Sequence, residues 1–166
     1  MRMGTNRRLA NVKTRHETGL DYIMQSMNLN TPFGKKQLKE LKPFFPGEEE
    51  ELKKELDRVE SMVSFVNGNS RTVEQIQELF MEVKDVSYTI ARSENQTLAV
   101  VEIYEVKSLL LAMRKLLSIT VKDGKNLVPE DYILEDTTEL LDVLDPGKDR
   151  INTFYIYDEF SDKLKE

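Results

Sequence analysis

The stretch TLAVVEIYEVKSLLLAMRKLLSITV, residues 97–121, decides the fold class of this chain. Its apolar residues recur mostly three to five positions apart and extend around more than one face of a helix. At 1.5 Å per residue such a helix is roughly 35 Å long, about the diameter of a small domain, so other helices must lie along both of its flanks. We therefore predict an all-α fold, a multi-helix core domain built around one long central helix.

Helix signals recur before this stretch. A first helix is predicted from Glu17 to about Met27, and a second one begins where the hydroxyl of Thr31 can cap a helix with Pro32 at its first position. After the corner at Pro43–Pro46, a run of four glutamates opens a long amphipathic helix, because the helix dipole favours negative charge at an N-terminus. A further helix is predicted to begin at Thr72, which forms a capping-box pattern with Gln75.

The C-terminal quarter has shorter signals. Asp136 is expected to cap a helix that stops at Pro146, and residues 151–157 alternate like a strand, although no partner strand is evident. We therefore expect an extended, packed segment there, followed by a helix from Asp158. The aromatic residues Tyr155, Tyr157 and Phe160 lie beside acidic residues, which favours core packing over the stacking of nucleic-acid bases.

Composition excludes several classes of protein. The 166 residues fit one domain and include no cysteine, which excludes disulfides, thiolate nucleophiles and cysteine-bound zinc. The longest apolar run, Leu109–Met113, is far below the roughly 20 residues that a membrane span needs, so no membrane association is expected. A reducing, cytoplasmic location is predicted.

Charge is distributed unevenly. The first sixteen residues carry five positive charges and no acidic residue, whereas the chain as a whole has a net charge of −6. We predict a basic, flexible leader at 1–16 and a helical core domain at 17–166. The candidates for phosphate contacts are the five basic residues of this leader, and a solvated leader without a ligand is the alternative. They are Arg2, Arg7, Arg8, Lys13 and Arg15.

Few residues could support catalysis. His16 is the one histidine, and Gly34-Lys35-Lys36 lacks the upstream glycine, the following hydroxyl and the preceding strand of a phosphate loop. Glu102 and Glu105 lie three residues apart on the central helix, so they could share a proton or a cation if both were buried. A solvated strip of salt bridges with Lys107 and Arg114 is the alternative, and we predict no catalytic, cofactor or metal site in this chain.

Residues 17–164 resemble the opening of the helical core domain of the MutS family of DNA mismatch-binding ATPases. The sharpest similarity is the short turn and helix start at Thr31-Pro32-Phe33-Gly34, where Phe33 replaces a methionine that is usual in the family. Glu55-Leu56-Asp57-Arg58 stands where the family's long helix carries an arginine-containing signature. The other matching positions are Lys35, Lys36, Leu38, Pro43 or Pro46, Val59 and Val63, and the segments ILEDTTELLDVLDP and FYIYDEFSDKL are similar more loosely.

This resemblance implies a non-catalytic core or lever domain that connects a DNA-embracing clamp to an ATPase in DNA repair or recombination. It implies that the chain is a fragment of a longer protein, that ATP and Mg²⁺ belong to a missing domain, and that the intact protein binds DNA as a homodimer. The alternative is an independent helical module that binds a protein partner in a groove beside the central helix. A central helix covered by the chain's own helices would favour the lever, and an exposed apolar face would favour the module.

Overall fold

The computed structural model describes residues 12–153, 157–160 and 162–164. They form helices and one small two-stranded sheet, so the all-α prediction is confirmed at the level of fold class. The chain divides into two compact units, Met1–Ser64 and Phe65–Glu166. The predicted leader at 1–16 and core at 17–166 stay predictions, although a helix already begins at Val12.

The first unit contains α1 (Val12–Glu17), α2 (Leu20–Ser26), α3 (Pro32–Glu40) and most of α4 (Glu49–Gly68). Gly19 separates α1 from α2 with a φ of 72°, a left-handed conformation that glycine adopts without steric cost. Among residues 12–64, none is fully buried. The first unit therefore has no closed hydrophobic core within the described part of the chain.

The predicted starts of α3 and α4 are confirmed. The Thr31 hydroxyl accepts a hydrogen bond from the Gly34 N–H at 3.0 Å, which satisfies one free amide of the first turn. Before α4, the Glu49 carboxylate accepts the Gly47 N–H at 2.9 Å, and this hydrogen bond lowers the pKa of Glu49. The glutamate run therefore serves as a helix start.

The second unit contains α5 (Ser70–Met81), α6 (Ser87–Ser93), α7 (Val100–Thr120) and α8 (Thr138–Leu144). The predicted central helix is α7, and α5, α6 and α8 all pack against it. The Glu102 carboxylate accepts the Ala99 N–H at 2.7 Å and so caps the first turn of α7. Among the described residues of this unit, the buried apolar side chains are Phe65, Leu79, Val86, Leu110, Leu141 and Tyr157.

The predicted start of α5 at Thr72 is wrong. A single residue, Asn69, separates α4 from α5, and its side-chain amide donates a hydrogen bond to the Phe65 carbonyl at 2.9 Å. The Asn69 carbonyl accepts the Val73 N–H at 3.0 Å and so begins the first turn of α5. Because these backbone groups are already satisfied, the helix does not need the Thr72 hydroxyl as its cap.

A hairpin that we did not predict follows α7. The strands β1 (Val121–Lys122) and β2 (Lys125–Asn126) pair antiparallel, with Val121 opposite Asn126. The two loop residues Asp123 and Gly124 have φ values of 51° and 73°, as the tightest hairpin loops require. The structure therefore places a strand pair here, and residues 151–153 are not in a strand.

The predicted cap of α8 is close to the structure, and the predicted last helix is wrong. The Asp136 carboxylate accepts the Thr138 N–H at 2.9 Å, although the helix itself begins at Thr138. In place of a helix from Asp158, two single 3₁₀ turns occur at Asp158–Phe160 and Asp162–Leu164. Among the described residues, no helix combines the length and the apolar character that a membrane crossing requires.

Candidate functional site

A lysine is buried on the central helix of the second unit. Lys107 is only 5% exposed, and its Nζ lies 2.9 Å from Oδ1 of Asp145 and 3.4 Å from the hydroxyl of Tyr157. The same Nζ lies 5.4 Å from the centre of the Tyr157 ring, within the range of a cation–π contact. Because an unpaired charge is very costly to bury, these partners are what keep Lys107 inside the protein.

Asp145 is the centre of this cluster. It follows the last residue of α8, is completely buried, and also accepts the Arg150 backbone N–H at 2.9 Å and the Arg150 guanidinium at 3.2 Å. Burial alone would raise the pKa of this carboxyl group, but hydrogen bonds from Tyr157, Lys107 and the Arg150 N–H outweigh it and hold the pKa below its ordinary value. Asp145 is therefore ionised at neutral pH.

Tyr157 contributes a donor to the same carboxylate. Its hydroxyl donates to Oδ1 of Asp145, and this hydrogen bond, followed by burial, raises the pKa of Tyr157 well above its ordinary value. Its ring meets Phe160 edge to face, with centroids 5.6 Å apart. The prediction of core packing is thus confirmed for Tyr157, whereas Phe160 is exposed and Tyr155 lies outside the described residues.

The turn after α8 brings Arg150 back to the cluster. Lys148 and Arg150 have φ values of 57° and 55°, a left-handed conformation that non-glycine residues seldom adopt. The Arg150 guanidinium also forms an ion pair with Asp142 of α8. The buried Lys107 and the half-buried Arg150 therefore face the carboxylates of Asp142 and Asp145. We call Lys107, Asp142, Asp145, Arg150 and Tyr157 the polar clamp, because together they fasten α7 to α8 and to the chain after it.

A cavity of about 510 Å³ lies beside α7, next to the polar clamp. This volume is within the range of small-ligand sites in proteins. Its apolar lining includes Leu79, Val83 and Leu109, and the hydroxyl of Ser108, which also lines it, lies 2.7 Å from Oδ1 of Asn152. The charged residues that line it are Glu82, Lys84, Glu105, Arg114, Lys115 and Arg150.

The two glutamates of α7 point to separate partners. Glu102 forms an ion pair with Arg92 of α6, and Glu105 forms one of 3.0 Å with Lys84. Each carboxylate is therefore neutralised by a cation from outside α7, whereas the salt-bridge alternative had named Lys107 and Arg114 of the same helix. Within the described ranges, no group of three or more histidine, cysteine, aspartate or glutamate side chains is arranged to hold a metal ion. The assignment of Lys107 to a solvated strip is wrong, because this side chain is buried.

The basic leader candidates are only partly covered by the structure. Lys13 lies 3.7 Å from Glu17, and Arg15 lies 3.3 Å from Asp21, so both described candidates have acidic neighbours. Arg2, Arg7 and Arg8 lie outside the described residues. A role for the leader in phosphate contacts stays a prediction.

The residues of the polar clamp were not found by sequence reasoning. Lys107 and Asp145 are 38 positions apart, and Lys107 and Tyr157 are 50 apart, so no local spacing links them. One usable signal was a lysine within the most apolar part of the chain, on a helix that is apolar on most sides. Such a position favours a buried, paired cation over a solvated one.

Comparisons of this chain with protein-family models, with curated proteins and with solved structures found no match.

Proposed function

We propose that this chain is a helical core or lever domain of a MutS-like DNA-binding ATPase, without catalytic activity of its own. The observation that carries the proposal is the fastening of α7 by the polar clamp, together with the cover that α5, α6 and α8 provide. A lever needs a long element that cannot bend or slip relative to its neighbours. The MutS-like part of the proposal rests on the resemblance around Thr31-Pro32-Phe33-Gly34.

The mechanical role follows from packing. With 21 residues, α7 is about 31 Å long. Close-packed interiors resist compression and move as units, so a displacement at Val100 would be carried to Thr120. The ion pair between Lys107, the eighth residue of α7, and Asp145 adds a fixed point along the helix, because sliding α7 would separate two buried charges.

Nucleotide chemistry would belong to another part of the intact protein. Gly34-Lys35-Lys36 lies in the first turn of α3, which follows a turn and a threonine cap, and a phosphate loop follows a strand. This segment therefore does not form a phosphate loop, and no step of the proposed role uses ATP or Mg²⁺ in this chain. Contact with DNA, and the homodimer of the intact protein, would likewise come chiefly from the clamp and the ATPase domain.

The direct test is the coding sequence downstream of Glu166. The lever proposal expects a long helical hairpin followed by a glycine-rich phosphate loop. In the longer protein encoded by that sequence, Lys107→Met should leave basal ATP hydrolysis unchanged and reduce the stimulation of hydrolysis by DNA. The reason is that the variant alters the polar clamp and not the ATPase site. Lys148→Met, at an exposed pair of the same turn, is the matched control. A stop codon directly after Glu166 would refute the lever.

The second candidate is an independent helical module that binds a protein partner beside α7. The cavity of about 510 Å³ favours it, because its lining combines apolar residues such as Leu79, Val83 and Leu109 with more basic than acidic side chains. Such a lining suits a peptide that has both apolar and acidic side chains. The same downstream sequence separates the two candidates, since only the module is complete without further domains.

A further inference from the structure

Helix α4 exposes an apolar stripe over most of its length. Leu52, Leu56, Val59 and Val63 are 39%, 59%, 50% and 52% exposed, respectively. The gaps between them are four, three and four residues, so all four lie on one face of the helix. Single exposed apolar residues are ordinary, but a continuous row of them marks a surface that binds something.

We propose that this stripe pairs with the same stripe of a second copy of the chain, as a short antiparallel coiled coil. The spacing of four, three and four residues is the a/d spacing of a heptad repeat, with Leu56 and Val63 at a and Leu52 and Val59 at d. In a twofold antiparallel pair, Leu52 packs opposite Val63 of the second copy, and Leu56 packs opposite Val59. Four apolar layers are thus buried, and Val66, the next d position and 40% exposed, faces Glu49 of the second copy.

The charges that flank the stripe select this orientation. Lys53 and Glu60 occupy e positions, and Glu55 occupies a g position. An antiparallel pair brings e next to e, so Lys53 of each copy faces Glu60 of the other. A parallel pair would bring Glu55 next to Glu60 twice, which is repulsive. The flanking charges therefore favour the antiparallel pair.

The same charges also select the register. A shift of one heptad that pairs Leu52 with Leu56 leaves only two layers filled and sets Lys53 against Lys53 of the second copy. The opposite shift again fills four layers, because Val66, which is 40% exposed, then packs opposite Leu56, but it sets Glu60 against Glu60 of the second copy. The matched register is therefore the one in which apolar layers and charge pairs agree.

The contact is expected to be weak and dependent on concentration. Four layers span about two heptads, whereas stable coiled coils usually need three or four. The inference does not depend on the MutS-like proposal, in which copies associate chiefly through the ATPase domain. It concerns a contact made by these 166 residues alone.

Sedimentation equilibrium of the 166-residue chain tests the inference. Between about 10 μM and about 1 mM, the range in which weak complexes dissociate, the mean mass should rise from that of a monomer toward that of a dimer. Leu56→Glu should abolish this rise and leave the helical circular dichroism unchanged, since Leu56 is exposed. A chain that stays monomeric throughout, or a dimer that survives Leu56→Glu, overturns the proposal.

Charge variants test the orientation. Lys53→Glu and Glu60→Lys should each weaken association about tenfold, because two pairs per dimer become repulsive, and the double exchange should restore it. Lys54→Glu carries the same charge change one residue away, off the stripe, and should have no effect. Stronger association of Glu60→Lys would indicate a parallel pair. A loss of association in Lys54→Glu equal to that in Lys53→Glu would indicate a nonspecific charge effect. Either result overturns the proposal.

Discussion

Replacing Asp145 by asparagine is expected to lower the free energy of unfolding by about 3–5 kcal/mol, since it removes one partner of a buried ion pair. Asparagine keeps the shape of the side chain but leaves Lys107 without a compensating charge. Lys107→Met should cost less, about 1–3 kcal/mol, because Asp145 keeps its hydrogen bonds from Arg150 and Tyr157. The double variant should cost less than the sum of the two single variants.

Urea unfolding followed by circular dichroism measures these differences, provided that the slope with denaturant is unchanged. The control is Lys148→Met, because Lys148 pairs with Asp142 at 3.3 Å but its side chain is 65% exposed. Exposed pairs contribute about 0–1 kcal/mol. If Asp145→Asn unfolds within about 1 kcal/mol of the original protein at an unchanged slope, then Lys107 and Asp145 are not a buried pair and the reasoning fails.

Three further predictions concern acid, a helix cap and a turn. The pKa of Asp145 is lowered from its ordinary value of 3.8, so the stabilisation by its carboxylate is complete above pH 3.8 and is lost as the pH falls through the lowered value. The free energy of unfolding of the original protein, measured by acid titration, should therefore decrease over this acid range. In Asp145→Asn, this contribution to the decrease should be missing. Thr31→Ala should lower the free energy of unfolding by about 0.5–2 kcal/mol through the lost N-cap and should speed hydrogen exchange of the Gly34 amide. Thr97→Ala, at an exposed threonine, should have neither effect. Equal exchange at Gly34 in both variants would contradict the cap. Gly124→Ala should lower the urea midpoint by an amount equivalent to about 1–2 kcal/mol, because φ is 73° there. Gly68→Ala, at the last residue of α4, should not lower it, and a neutral Gly124→Ala would refute the left-handed turn.

The sequence predicted those parts of the fold that depend on neighbouring residues. The long helix was evident because apolar side chains cover most of its sides, and it is observed as Val100–Thr120. The cap at Thr31 was predictable because an N-cap involves residues three positions apart. Such features depend on the chain within one or two helical turns.

Features that depend on distant residues or on very short elements were missed. The hairpin strands have two residues each, too few to show an alternating pattern, although Asp123-Gly124 is itself a hairpin signal. The start at Thr72 was wrong because α5 begins at Ser70, and its first backbone hydrogen bond joins the Val73 N–H to the Asn69 carbonyl. The polar clamp could not be predicted, since the partner of Lys107 is 38 residues away.

The burial of Lys107 has a practical consequence for measuring motion. Acylating reagents modify lysine amines only where solvent reaches them, and the amines of Lys84 and Lys148 are open to solvent whereas that of Lys107 is enclosed. Modification of Lys107 therefore requires that the segment around Asp145 and Tyr157 separate from α7. The rate of covalent labelling at this one amine, measured by mass spectrometry, therefore reports how often the contact between α7 and that segment opens.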